Sequence, residues 1–88
     1  MDGFDGFQIG QLVISKAGRD KGTVMVVMSV EPPYLYLCDG KTRPAARPKK
    51  KKITHVQKTN AVSDIKGLII GKKVKDSDIR RACNDFAL

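Results

Sequence analysis

Apolar positions follow two different rhythms along the chain. From residue 11 to residue 57 they form short runs broken by glycine and proline, and beyond Lys58 they recur at helical spacing. Gln11-Leu12-Val13-Ile14-Ser15-Lys16 is rich in β-branched residues and predicts a strand. Thr23-Val24-Met25-Val26-Val27-Met28-Ser29-Val30 predicts the strongest strand. It is apolar on both parities, so it should be buried on both sides. Glu31-Pro32-Pro33 ends it, because proline has no ladder donor. Tyr34-Leu35-Tyr36-Leu37-Cys38 predicts a third strand with tyrosines and leucines on opposite faces. Pro44 and Pro48 limit residues 41–52 to a short edge piece, and Ile53-Thr54-His55-Val56-Gln57 resumes alternation and can close a sheet. Between these runs, Gly18, Gly22 and Gly40 mark turns.

After Lys58, Val62, Ile65, Leu68 and Ile69 predict a helix, with Asn60 or Ser63 as N-cap and Gly71 as its stop. A second helix carries Ile79, Ala82, Cys83 and Phe86 on one face, with Asp76 or Ser77 to cap it. Close strands joined by Gly/Pro turns imply a mainly β unit, a small barrel over residues 8–57. A short C-terminal helical extension over 58–88 follows it.

Composition narrows this. At 88 residues the core is thin, which disfavours a multi-step enzyme with a deep cleft. A hydrophobic share of 41 % is too high for a fully disordered chain. No apolar run approaches a membrane span, and the acidic start at residues 1–5 does not read as a secretory signal, so a cytoplasmic protein is expected. Cys38 and Cys83 stand far apart and form no CxxC pair, and one histidine cannot complete a zinc set with them. They are expected as reduced, buried, small apolar side chains. No acid, base, nucleophile or metal constellation is visible, so no catalytic residue, metal or cofactor is expected. His55, the one residue that titrates near neutrality, has no catalytic partner at a suggestive spacing.

Charge changes the picture more. The net charge is +8, but residues 1–40 carry three basic and five acidic groups. Residues 59–88 carry six basic and four acidic groups. Residues 41–58 hold Lys41, Arg43, Arg47, Lys49, Lys50, Lys51, Lys52 and Lys58 without one acid. Such a segment repels itself unless a polyanion or solvent compensates it. Nucleic acid, an anionic membrane surface or an acidic protein each fit, as does a merely solvated loop. No basic amphipathic helix or lipidation motif accompanies the lysines, so membrane is the weakest partner. Lys72, Lys73 and Lys75 read as a solvated connector.

Residues 9–27, with Gly18 in the turn and Lys21-Gly22 before the second strand, resemble a KOW motif. The likeness continues through Leu37-Cys38-Asp39-Gly40, Arg43, Arg47 and the run 48–52. It is to KOW-type large-subunit ribosomal proteins, and more closely to their short RNA-binding relatives in Gram-positive bacteria. One departure is that Thr23-Val24-Met25-Val26 follows Gly22 directly, where many KOW motifs have a further glycine. The resemblance implies an SH3-like (KOW-type) β-barrel that binds structured RNA, in a ribonucleoprotein and translation setting. An alternative is a protein-interaction adaptor on ribosomal proteins or RNA polymerase, using the barrel and the helical tail.

The RNA-contacting candidates are Lys16, Arg19, Lys21, Lys41, Arg43, Arg47, Lys49, Lys50, Lys51, Lys52 and His55. Arg19 and Lys21 sit at the tip of the Gly18 turn, and the segment 43–52 is expected near that tip, making one positive face. Long basic side chains reach phosphates there, arginine as a planar fork and lysine as a point charge. Tyr34 and Tyr36 share a parity and have the chemistry to stack on bases, or else to pack beneath the helical tail.

Overall fold

A computed structural model describes residues 3–4 and 6–87. Most of the acidic start, with Met1, Asp2 and Asp5, lies outside the described residues, as does Leu88. The chain is mainly β. A small hairpin of β1 (Gly3–Phe4) and β2 (Phe7–Gln8) precedes a five-stranded antiparallel sheet. The sheet strands are β3 (Gln11–Ser15), β4 (Val24–Glu31), β5 (Tyr34–Cys38), β6 (Lys49–Lys52) and β7 (Val56–Val62). Their spatial order is β6-β5-β4-β3-β7: a meander whose last strand returns to pair with the first. The sheet is open. Strands β6 and β7 are its edges, and no ladder joins them.

Three of the expected strands form because their side chains match the pleat. Val13, Met25, Val27, Leu35, Leu37 and Val56 cluster on one face, together with Phe7 from β2. Leu12, Val26 and Cys38 lie in a second cluster with Ile65, Ile69, Ile79, Ala82 and Cys83 of the C-terminal helical segment. Strand β4 is therefore buried on both faces, as its double-parity pattern requires. A register shift between Val27 and Ser29 lets Val30 stay with the first cluster although strict alternation would turn it away.

The last strand differs from expectation. Ile53–His55 is a 3₁₀ turn, not the start of a strand, and β7 runs on from Val56 to Val62. Val62 is thus a strand residue rather than the first apolar position of a helix. The polar sequence of β7 is compatible with pairing because it is an edge with few buried positions. A register shift near Gln11 is patched by side chains. Gln11 Nε2 donates to the Thr59 carbonyl at 2.7 Å, and the Thr59 hydroxyl donates to the Leu12 carbonyl at 2.5 Å.

Helix α1 (Lys66–Ile70) is a single short piece. Ile65 holds its N-cap position, not Asn60 or Ser63, although the Ser63 hydroxyl accepts from the Ile65 N–H at 3.2 Å. At the other end Gly71 is right-handed, and Lys72 takes the left-handed conformation at φ 58°. Lys73 N–H bonds the Leu68 carbonyl and Lys72 N–H the Ile69 carbonyl, closing the helix in the double-bonded manner that usually uses glycine. Gly71 is thus the stop, as expected, while the left-handed residue that closes the helix is Lys72.

Helix α2 (Asp76–Ala87) buries Ile79, Ala82 and Cys83, with Phe86 partly buried, as its spacing predicts. The expected cap is corrected: Asp78 accepts from the Lys75 N–H at 3.0 Å, while Asp76 is the first helical residue. Asp76 instead accepts from the Ala45 N–H at 2.7 Å, and Arg80 donates to the Gly40 carbonyl at 2.7 Å. These two bonds fasten the helix to the basic loop. Gly40, at φ 79°, sits so close that a Cβ there would meet the Asp76 carbonyl oxygen at 2.5 Å. Among the described residues no helix is long and apolar enough to cross a membrane.

Cys38 and Cys83 are both buried and free. Burial is the first cause that pushes the Cys38 thiol up to about 12 and the Cys83 thiol up to about 11. Both are inert, space-filling side chains of the second cluster.

Candidate functional site

The basic segment folds into a loop over residues 39–48 and the edge strand β6. Asp39 orders the loop. Its carboxylate accepts from the Lys41 and Arg43 N–H groups, each at 2.9 Å, and from the Thr42 hydroxyl at 2.9 Å. Burial opposes the Asp39 charge, but these three donors outweigh it and hold the carboxyl below its ordinary value. Lys41, Thr42 and Arg43 are left exposed on a fixed turn.

Strand β6 then places four identical residues in two different environments. Lys49 and Lys51 pair across the ladder with Leu37 and Leu35, and Lys50 and Lys52 with Tyr36 and Tyr34. Because a strand alternates faces, the four lysines cannot form one positive face. This corrects the expectation that residues 43–52 would do so.

Lys51 is 7 % exposed. It pairs with the buried Leu35, and its ammonium reaches the turn between β3 and β4. There it donates to the Ala17 carbonyl and to Asp20 Oδ1, each at 2.8 Å. Lys49 approaches Asp20 Oδ2 at 3.2 Å as an ion pair, off the line of a hydrogen bond. The Ser15 hydroxyl donates to Asp20 Oδ1 at 2.7 Å. Burial alone would raise the Asp20 carboxyl. Lys51, Ser15 and Lys49 outweigh it and hold the group far below the usual carboxylate range. Asp20 thus latches the edge of the sheet to the 18–22 turn, where no backbone ladder closes the gap.

Glycine shapes that turn. Gly18 and Gly22 have φ 85° and 88°, as expected of them. Gly22 N–H bonds the Ser15 carbonyl at 2.8 Å and Thr23 N–H the Asp20 carbonyl at 2.9 Å, while Arg19 and Lys21 project into solvent.

The 18–22 turn and the 39–43 turn face each other across an open cleft of about 300 Å³. Arg19, Arg43 and Lys49 line it, with Thr23, Thr42, Asp20, Asp39 and Met25. The structure therefore brings Arg19, Arg43 and Lys49 together. It sets Lys50 and Lys52 on the other face of β6, where the Lys50 ammonium lies 4.3 Å from the centre of the Tyr34 ring. Lys16 and His55 are neighbours through a backbone bond from Lys16 N–H to the His55 carbonyl at 2.8 Å, and both side chains are exposed. Arg47 is exposed in the loop.

In the sequence Asp20 and Asp39 stand out only as acids beside turn glycines, yet each organises one wall of the cleft. The signal for Asp20 was its position between Arg19 and Lys21. The signal for Asp39 was an aspartate two and four residues before N–H groups it can receive, the local bonding habit of Asp in turns.

No protein-family model matches the chain, and no curated protein matches it.

Proposed function

We propose that this chain is an RNA-binding module of the SH3-like, KOW type that engages structured RNA in the cytoplasm, in association with the ribosome. One observation carries the reading. Of the eight cations of residues 41–58, uncompensated within their own segment, seven fall on the sheet edge β6 and the loop that leads into it, the eighth, Lys58, lies on the opposite edge β7, and most of them remain exposed. Only Lys51 is buried and only Lys49 shares its carboxylate, so Lys41, Arg43, Arg47, Lys50, Lys52 and Lys58 remain to meet an anion. The strand order supports the barrel type, since a meander whose fifth strand returns to the first, after a 3₁₀ turn, is the ordering a curled five-stranded barrel needs. The KOW-like residues around Gly18 form the tight turn that presents Arg19 and Lys21.

Binding of this kind is dominated by counterion release, so it should fall steeply with salt. Titration of a fluorescent structured ribosomal RNA fragment across a salt series tests it. Four to five neutralised phosphates correspond to a slope of log affinity against log salt of about −3 to −4. Absence of binding, or binding indifferent to salt, overturns the proposal.

A second reading, a protein-interaction adaptor, has one observation in its favour. Val62, Leu68 and Ile70 are exposed apolar residues around the end of β7 and α1, and Ile70 is 56 % exposed. A pull-down from nuclease-treated lysate separates the two readings. Partners lost on digestion favour RNA; partners retained and then released by Ile70→Ser favour the adaptor.

A further inference from the structure

The open cleft between the 18–22 and 39–43 turns holds more cations than carboxylates, and the cations differ in what else they do. Lys49 and Lys51 are tied to Asp20. Arg19 and Arg43 have exposed side chains with no hydrogen-bond or ion-pair partner among the described residues, although they line the cleft from opposite turns. Neither turn is loose. One is fixed by the Asp20 latch and the other by the three donors to Asp39. Both carboxylates in the lining are thereby engaged by donors of the chain itself, which leaves the two guanidinium groups to set the local field. Two guanidinium groups carried on fixed turns at either side of one space are suited to a tetrahedral oxyanion, which each fork can hold with two N–H donors.

We propose that this cleft seats a single phosphodiester of the nucleic-acid backbone, gripped by Arg19 on one side and Arg43 on the other. Asp20, Lys49 and Lys51 act as positioning residues that set the gap. The inference rests on the RNA-binding reading and sharpens it: the lysine run, the loudest feature of the sequence, supplies half its charges to the frame rather than to the ligand. The ligand group is the phosphodiester itself, which RNA and DNA share, so the cleft does not choose between them.

The test is a double-mutant cycle on the full chain. Arg19→Gln, Arg43→Gln and their combination are titrated with a fluorescent RNA hairpin and, separately, with a DNA hairpin of the same sequence, at about 0.1 M salt. Both side chains are exposed, so thermal melts of the variants should match the parent. Two groups that hold one phosphate are coupled through it. Each single variant should weaken binding about tenfold, and the double should lose clearly less than the product of the two losses, on both hairpins. Lys50→Gln with Lys52→Gln, on the other face of β6, should give independent, multiplicative losses.

Multiplicative losses for Arg19 and Arg43 would show two separate phosphates and overturn the seat, as would a double variant that binds like the parent. Coupling on RNA but not on DNA would overturn the backbone reading in favour of a ribose or base contact. In all of these outcomes the parent chain still binds RNA with a steep salt slope, and the proposed function stands. If the parent binds neither hairpin, the function itself falls and the seat with it.

Discussion

The two sides of strand β6 carry the same residue and do different work. On one side Lys49 and Lys51 point towards the 18–22 turn and share Asp20; on the other Lys50 and Lys52 stand exposed beside Tyr34 and Tyr36. The difference arises from the pleat alone, because consecutive residues of a strand face opposite ways. Its lesson concerns charge counting. A run of four lysines reads as four binding charges, yet a strand that lies at an open edge needs something to hold it. Here the chain uses half the run for that purpose. The exposed half has a second effect: lysines on an edge strand discourage another strand from adding to it.

The sharpest way to break the comparison is to remove the carboxylate that distinguishes the two sides. Asp20→Ala leaves the Lys51 ammonium buried with only the Ala17 carbonyl for a partner. Removing one member of a buried pair costs about 3 kcal/mol or more, because the other charge stays behind unpaired. Urea unfolding should show that loss. Adding Lys51→Met to Asp20→Ala should return a large part of it, since the long apolar stem keeps its packing and the stranded charge is gone. Equal costs for the single and the double variant would mean that the latch is not what closes the gap.

Acid offers a graded version of the same test. The Asp20 carboxyl is held below its ordinary value of 3.8 in the folded chain. A carboxyl that is more acidic folded than unfolded adds stability that is complete above its unfolded value. That stability is lost as the pH falls through 3.8 towards the folded value. The stability difference between the parent and Asp20→Asn should therefore be large at about pH 6 and shrink steadily towards about pH 2.5. Asp39, lowered by its own turn donors, remains in both proteins and cancels in the difference. A gap that stays constant with pH would remove Asp20 from the account.

How much of this was legible beforehand depends on range. Strands β3, β4 and β5 were readable because their β-branched and alternating residues carry the pattern within themselves. Strand β7 was not, since its middle residues Lys58, Thr59, Asn60 and Ala61 show no apolar alternation. That strand is held instead by Gln11 and Thr59 bonds across 47 and 48 positions of sequence. The β1–β2 hairpin has two residues per strand, too few to leave a periodic trace, and so the role of Phe7 in the core went unseen. The stop of α1 at Gly71 was readable, but its left-handed closing residue was not, because Lys72, a non-glycine, adopts that conformation. At the site, the turn glycines and the proximity of 43–52 to the 18–22 turn were readable. The division of the lysines followed from alternation once β6 was a strand. Their partner did not, because Asp20 and Lys51 lie 31 positions apart and only the folded sheet brings them together.

The smallest expected effect lies on the exposed side of β6. Lys50 covers the Tyr34 ring at 4.3 Å, an attraction between a cation and the ring face worth about 0.5 kcal/mol where solvent reaches the pair. Lys50→Ala should cost no more than that in urea unfolding, well under the cost of Asp20→Ala. Tyr34→Leu keeps the apolar bulk of the ring and removes its charged face. It should therefore make Lys50→Ala nearly silent in the double variant. The pair also bears on binding, because a cation resting on a ring must leave it for a base to stack there. If Tyr34 receives a base, Lys50→Ala should weaken RNA binding less than Lys52→Ala does, since uncovering the ring offsets part of the lost charge. Equal losses for the two lysines would assign Tyr34 to the protein's own packing, and this side of β6 to phosphate contact alone.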